Sequence, residues 1–190
     1  MPPSSLVLVG PFEPEYDPLP QSVVDELTTN PRIHLVGRTD QPERYMGAAD
    51  ILCLPSYREG FGSVVIEVAA MGVPAVATSI VGLVDAVADD KTGLLARPKS
   101  AYSLRHALSE MILDTELRDR MGRAARERAE QLFDAAIVNQ AVADEYRRLH
   151  VLRQARGGVE GEPAPTGPSA RSRFQPSTNS GWQDLGRQSE

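Results

Sequence analysis

The sequence predicts an α/β fold built on a parallel sheet, followed by helices and an aperiodic tail. Three observations carry this. Short apolar runs closed by Gly or Pro alternate with helix-length segments through the first 100 residues. The connections between them are short, as in right-handed βαβ units with helices on both sheet faces. From Ala101 the pattern turns wholly helical, and after Gln154 it loses all period.

The elements follow in order. Leu6 to Gly10 is a four-residue apolar run closed by Gly, the signature of a buried parallel strand. Pro11 to Pro20 holds four prolines and is loop. A helix fits Gln21 to Thr28, stopped by Asn30-Pro31. Ile33 to Gly37 is a second strand. Pro42 to Ala49 is a short helix with proline in its first turn, and Ile51 to Leu54 a third strand ended by Pro55. Ser63 to Met71 is a helix of small and apolar residues with Gly72 as its stop. Val73 to Thr78, a brief helix at Leu83 to Ala88, and the strand at Gly93 to Leu95 complete the alternation. Beyond it, Leu104, Ala107, Leu108, Met111 and Ile112 recur at helical spacing. Asp114 caps a helix reaching Leu132, and a last helix runs from Asp134 to about Gln154. Gly, Pro and Ser supply 15 of residues 155–190, so this stretch reads as a disordered tail. The expected division is a domain over 1–154 and a tail over 155–190.

Composition narrows the function. Hydrophobic residues make up 41% of the 190, enough for a packed core. Residues 1–150 carry 15 Lys and Arg against 22 Asp and Glu, an acidic body that argues against nucleic acid as partner. The one cysteine, Cys53, excludes an internal disulfide and reads as a small buried hydrophobe. No run approaches the roughly 20 apolar residues of a membrane span, and the N-terminus lacks a signal peptide's pattern. A cytoplasmic protein is expected, with peripheral membrane contact left open. The arginines of the Asp114–Leu132 helix alternate with acids and read as a solvated, salt-bridged face.

The informative stretch is Pro55-Ser-Tyr-Arg-Glu-Gly-Phe-Gly-Ser-Val-Val-Ile-Glu67. It follows a strand and opens a helix, and in an open α/β sheet ligands bind at the carboxyl ends of strands. Gly60 and Gly62 let the backbone approach a ligand closely. Ser63 is the expected helix cap, with free N–H groups and the positive dipole end facing the loop, a site for a diphosphate. Glu67 is the only polar residue between Val64 and Met71, and burial in an apolar helix is expected of it, with ligand hydroxyls as its partners. Glu59 sits in the loop itself, where an exposed acid is the plain reading. Arg58 is a weaker diphosphate candidate. His34, His106, Asp85, Lys91 and Lys99 read as structural or surface residues. No clustered Asp, His or Cys set suggests a metal.

Glu59 and Glu67 form an E-x₇-E motif within PSYREGFGSVVIEVAAMGVPAVATS. This resembles the signature of retaining glycosyltransferases of the GT-B fold, the family numbered four. LVLVG, IHLVGRTD, ERYMGAADILCLPS and DKTGLLARP fall in the family's order, so the resemblance covers roughly Leu6 to Leu149. In its details it resembles bacterial enzymes that build surface polysaccharides. The resemblance implies the Rossmann-like C-terminal half of such an enzyme. It also implies transfer of a hexose-type sugar from a nucleotide sugar, UDP by default, to a glycan or lipid-linked acceptor with retention, without metal or other cofactor. Glu59 would touch the donor sugar as the catalytic-site acid. Backbone N–H groups of Gly60, Phe61, Gly62, Ser63 and Val64 would hold sugar and diphosphate, and Glu67 the ribose. The family's acceptor-binding N-terminal domain, and the strand and helix carrying its diphosphate-gripping Arg and Lys, have no counterpart in this sequence, so inactivity alone is expected. Two alternatives stand beside this: a non-catalytic nucleotide-sugar or protein-binding module, and another GT-B enzyme such as an epimerase, which the E-x₇-E context disfavours.

Overall fold

The computed structural model describes residues 4–13 and 18–157. Among them the order is β1 (Leu6–Val9), α1 (Gln21–Thr29), β2 (Ile33–Gly37), α2 (Pro42–Ala48), β3 (Leu52–Leu54), α3 (Ser63–Ala70), β4 (Ala75–Thr78), α4 (Leu83–Ala86), β5 (Gly93–Ala96), α5 (Ala101–Leu113), α6 (Thr115–Leu132) and α7 (Ala135–Gly157). The fold is α/β with parallel strands, as the alternation requires. The chain divides into two units, Met1–Asp144 and Glu145–Glu190. Helix α7 runs three residues into the expected tail, and residues 158–190 of that tail lie outside the described residues.

All strand pairs are parallel, but they form two sheets rather than one. β1 pairs with β2, and β4 lies between β3 and β5. The expectation of a buried first strand fails: Leu6, Val7, Leu8 and Val9 are all exposed. A parallel strand is buried only where neighbours and helices cover it, and β1 has one neighbouring strand among the described residues.

The core sits around β4, where strand alternation sends successive side chains to opposite faces. Ala75 and Ala77 join Val65, Leu83, Ala86 and Val87 on the face covered by α3 and α4. Val76 joins Leu94, Ala107, Met111, Leu117 and Met121 on the face covered by α5 and α6. Further along α6, Ala125 and Ala129, one turn apart, pack against Ala69 of α3. These small side chains let the two helices lie close, and they bring the far end of α6 toward the loop that precedes α3.

Helix ends follow their sequence signals in part. The Asp114 carboxylate accepts from the Leu117 N–H at 2.8 Å, the expected cap of α6. Ser100 does the same for α5. α3 stops as predicted at Gly72, where φ is +80° and the N–H groups of Gly72 and Val73 return to the carbonyls of Ala69 and Val68. In the second unit, Arg148 makes a paired contact with Glu145 at 2.8 Å, one turn away on an exposed face.

Candidate functional site

The site is built from three connections at the carboxyl ends of β3 and β4. The first is the loop from Pro55 to Gly62. The Ser56 hydroxyl donates to the Glu59 carboxylate at 2.8 Å, and the pair is partly buried. One Glu59 oxygen is thereby held, which orients the carboxylate. The plain reading of Glu59 as an exposed loop acid is corrected: it is half-buried, with a fixed partner. Thr78, only 3% exposed at the end of β4, donates its hydroxyl to the Ser56 carbonyl and ties the loop to the sheet.

The second connection is the turn into α3. Ser63 is not its cap. Gly62 takes that position in the left-handed conformation (φ +71°, ψ +53°) and no side chain caps the helix. Ser lacks Gly's freedom at positive φ, so it enters one residue later, inside the first turn. The first N–H groups of a helix have no intrahelical acceptor. Only Val65 turns back, to the Gly62 carbonyl at 2.9 Å. The amides of Ser63 and Val64 therefore begin the helix without a side-chain oxygen over them. A Cβ on Gly62 would lie 2.5 Å from a Leu83 methyl, so the turn is packed against α4. Gly60 is exposed and has open space around it, so its small size leaves room above the loop rather than relieving backbone strain.

The third connection is Ser79 to Gly82. Gly82 adopts φ +92°, and a Cβ there would lie 2.7 Å from the Gly60 carbonyl oxygen and 2.8 Å from that of Glu59. The post-β4 loop is thus seated directly on the backbone of the Glu59 loop.

The structure brings together Glu59, Gly60, Phe61, Gly62, Ser63 and Val64 at one end of the sheet, but it places Glu67 otherwise than expected. Glu67 is exposed. The core side of α3 is Val65, Val68 and Ala69, while Ser63, Glu67, Ala70 and Met71 form an exposed stripe at helical spacing. The helix is apolar all round in composition, yet Ala70 and Met71 occupy its outer face, so composition overstated the burial of Glu67. Arg58, Asp85, Lys91, Lys99, His34 and His106 are exposed, with the His106 ring 4.0 Å from Glu110. Cys53 is half-buried in β3, and burial pushes its thiol up. Among the described residues no group of three or more His, Cys, Asp or Glu side chains is arranged so that it could hold a metal ion. No helix among them is long and apolar enough to cross a membrane.

Sequence reasoning missed Ser56, Phe133 and Arg128. Ser56 was legible only as a neighbour in the motif. Phe133, the residue after α6, places its ring 5.5 Å from that of Phe61. The salt-bridged reading of α6 holds for Arg126, paired with Glu130 at 2.8 Å. It fails for Arg128, which is half-buried, donates to the Asp85 carbonyl at 3.0 Å and lies 5.5 Å over the Phe133 ring.

Comparison with known proteins adds the family context. A model of the family described as glycosyl transferases group 1 matches residues 2–128. The capsular polysaccharide biosynthesis glycosyltransferase CapM of Staphylococcus aureus is 28% identical over 152 residues, 80% of this chain and 39% of that protein. D-inositol 3-phosphate glycosyltransferase of Corynebacterium aurimucosum is 45% identical over 93 residues, 49% of this chain and 22% of that protein. Among solved structures, sucrose-phosphate synthase of Thermosynechococcus elongatus superposes with a TM-score of 0.69 at 31% identity, covering 80% of this chain and 40% of that one. HepE of Anabaena, solved in complex with UDP-glucose, gives a TM-score of 0.69 at 25% identity, covering 78% and 42%. This chain spans about 39% of the length of CapM.

Proposed function

On the premise that this chain belongs to the group 1 glycosyl transferases, whose model matches residues 2–128, we propose that it is the donor-binding domain of a retaining hexosyltransferase. The donor is a nucleotide sugar, with UDP favoured by the UDP-glucose complex of the similar HepE. The acceptor is a glycan or lipid-linked sugar, held by a separate N-terminal domain, and the likeness to CapM supports a role in surface polysaccharide synthesis. A cytoplasmic location, with peripheral membrane contact, belongs to the same reading, as does a domain ending near residue 154.

One observation carries the proposal: an oriented carboxylate stands directly before an uncapped helix N-terminus, with Glu59 held by Ser56 and α3 opening at Gly62 without a side-chain cap. Uncapped N–H groups and the dipole end favour a diphosphate. In this reading the amides of Gly60 to Val64 hold the diphosphate and sugar, Glu59 accepts from a sugar hydroxyl, and the exposed Glu67 reaches the ribose. The anomeric carbon–oxygen bond to the diphosphate breaks as the acceptor oxygen bonds to the same face of that carbon. The acceptor proton passes to the departing phosphate oxygen. Charge develops on the sugar and the leaving diphosphate, so positioning and fixed dipoles supply the acceleration.

The test is amide-shift mapping of the chain with UDP, UDP-glucose, and GDP- and ADP-sugars. The expected result is a perturbation centred on Gly60 to Val64, strongest for the UDP series. Perturbation confined to the arginines of α6 would refute the site.

A further inference from the structure

Arg128 is anomalous in its surroundings. Its Nε is buried and has no partner among the described residues, although an unsatisfied buried donor is costly. Beside it lies a cavity of about 10 Å³, lined by Val65, Ala69, Ala86, Thr92 and Phe133 among others, with room for one water at most. A leucine or methionine would fill this place more cheaply if packing were all that was required. What the guanidinium does instead is join two parts of the site. One amino group holds the Asp85 carbonyl of α4 at 3.0 Å, and α4 follows Gly82, whose backbone rests on the carbonyls of Glu59 and Gly60. Its central carbon lies 5.5 Å over the Phe133 ring, which in turn meets Phe61 at 5.5 Å and an interplanar angle of 59°. That tilted geometry is a favourable one for two aromatic rings.

We propose that Arg128 and Phe133, at the far end of α6, are positioning residues for the donor loop: they hold Phe61, and with it the backbone amides of Gly60 to Val64, in their binding arrangement. The loop from Pro55 to Gly62 contains two glycines and is anchored at its start by Thr78 and Ser56. Gly62 at the loop's other end is buried against Leu83, but Phe61 beside it is 41% exposed, so burial alone does not hold its side chain. The Phe133 ring supplies that hold, and Arg128 fixes the ring. This assignment rests on the donor-site reading for its functional meaning, but the positioning itself is measurable without ligand.

The experiment uses the full chain, isotopically labelled, with Phe133→Leu, Phe133→Tyr, Arg128→Met and Arg128→Lys. Backbone order parameters at Gly60 to Val64 are measured without ligand, UDP affinity by titration, and the urea midpoint for stability. Order parameters report loop freedom and are insensitive to the ring-current change itself. In Phe133→Leu and Arg128→Met the loop amides become more mobile. UDP then binds about two- to tenfold more weakly, the range to which one aromatic pair converts. Phe133→Tyr restores both readouts. Arg128→Lys, lacking the planar fork, restores them only in part. Met111→Ala, remote in the other core face, lowers the urea midpoint and leaves both unchanged. If Phe133→Leu lowers the midpoint while loop order and UDP affinity stay at wild-type values, the residue is merely structural and the proposal is overturned. If the wild type fails to bind UDP, the donor-site reading falls, and the order parameters still decide the positioning.

Discussion

Replacing Gly82 by alanine tests whether the two loops of the site are one packed body. The backbone at Gly82 has φ +92° and ψ −51°, a conformation that L side chains rarely adopt. Holding a non-glycine residue there costs on the order of 1–3 kcal/mol. The new methyl would also sit 2.7 Å and 2.8 Å from two carbonyl oxygens, both backbone, so no rotamer change relieves the contact. Alanine's lower freedom in the unfolded chain returns about 0.4–1 kcal/mol. With the contact relieved by a shift of the Glu59 loop, these two terms leave a net loss of up to about 2.5 kcal/mol, and any contact left unrelieved adds to it. Urea unfolding should show a lower midpoint at unchanged slope, and UDP affinity should fall because the loop amides move. Gly60→Ala is the control. Its Cβ meets nothing, so stability should stay within about 0.5 kcal/mol of wild type, while the added methyl above the loop still weakens nucleotide binding. A Gly82→Ala chain as stable as wild type, with unchanged UDP affinity, would refute the contact between the loops.

Three further outcomes are expected. Ser56→Ala frees the Glu59 carboxylate, so UDP-glucose should lose affinity while free UDP does not; equal loss of both, in parallel titrations, would separate Ser56 from the sugar. Met111, fully buried against β4 and α6, should cost about 2–5 kcal/mol when cut to alanine, measured by urea unfolding. Burial raises the Cys53 pKa, so at any pH below that raised value less thiolate is present than in an exposed thiol. Reaction with a disulfide reagent at pH 8 should be slow in the folded chain and fast in urea; equal rates would show that β3 does not shelter it.

Local signals were enough for the order of elements, since each depends on neighbours in sequence. The Gly72 stop of α3, the Asp114 cap of α6 and the parallel pairing of alternating strands all stand as read. The motif loop was legible too, because glycines before a helix and two spaced glutamates are adjacent in the chain. What the sequence hid is what depends on distant neighbours. The burial of β1 and of Glu67 was overstated because an apolar residue is equally apolar on a covered or an open face, and only tertiary packing decides which face is covered. Gly62 rather than Ser63 caps α3 because the turn needs positive φ where Leu83 closes against it. Arg128 looked like one charge in a solvated series. Its burial against Phe133, and Phe133's contact with Phe61, arise because alanines at 125 and 129 draw α6 down onto α3. Phe61 and Phe133 stand 72 positions apart in the chain (133 − 61), and no local pattern encodes a contact that only the packing of two helices creates.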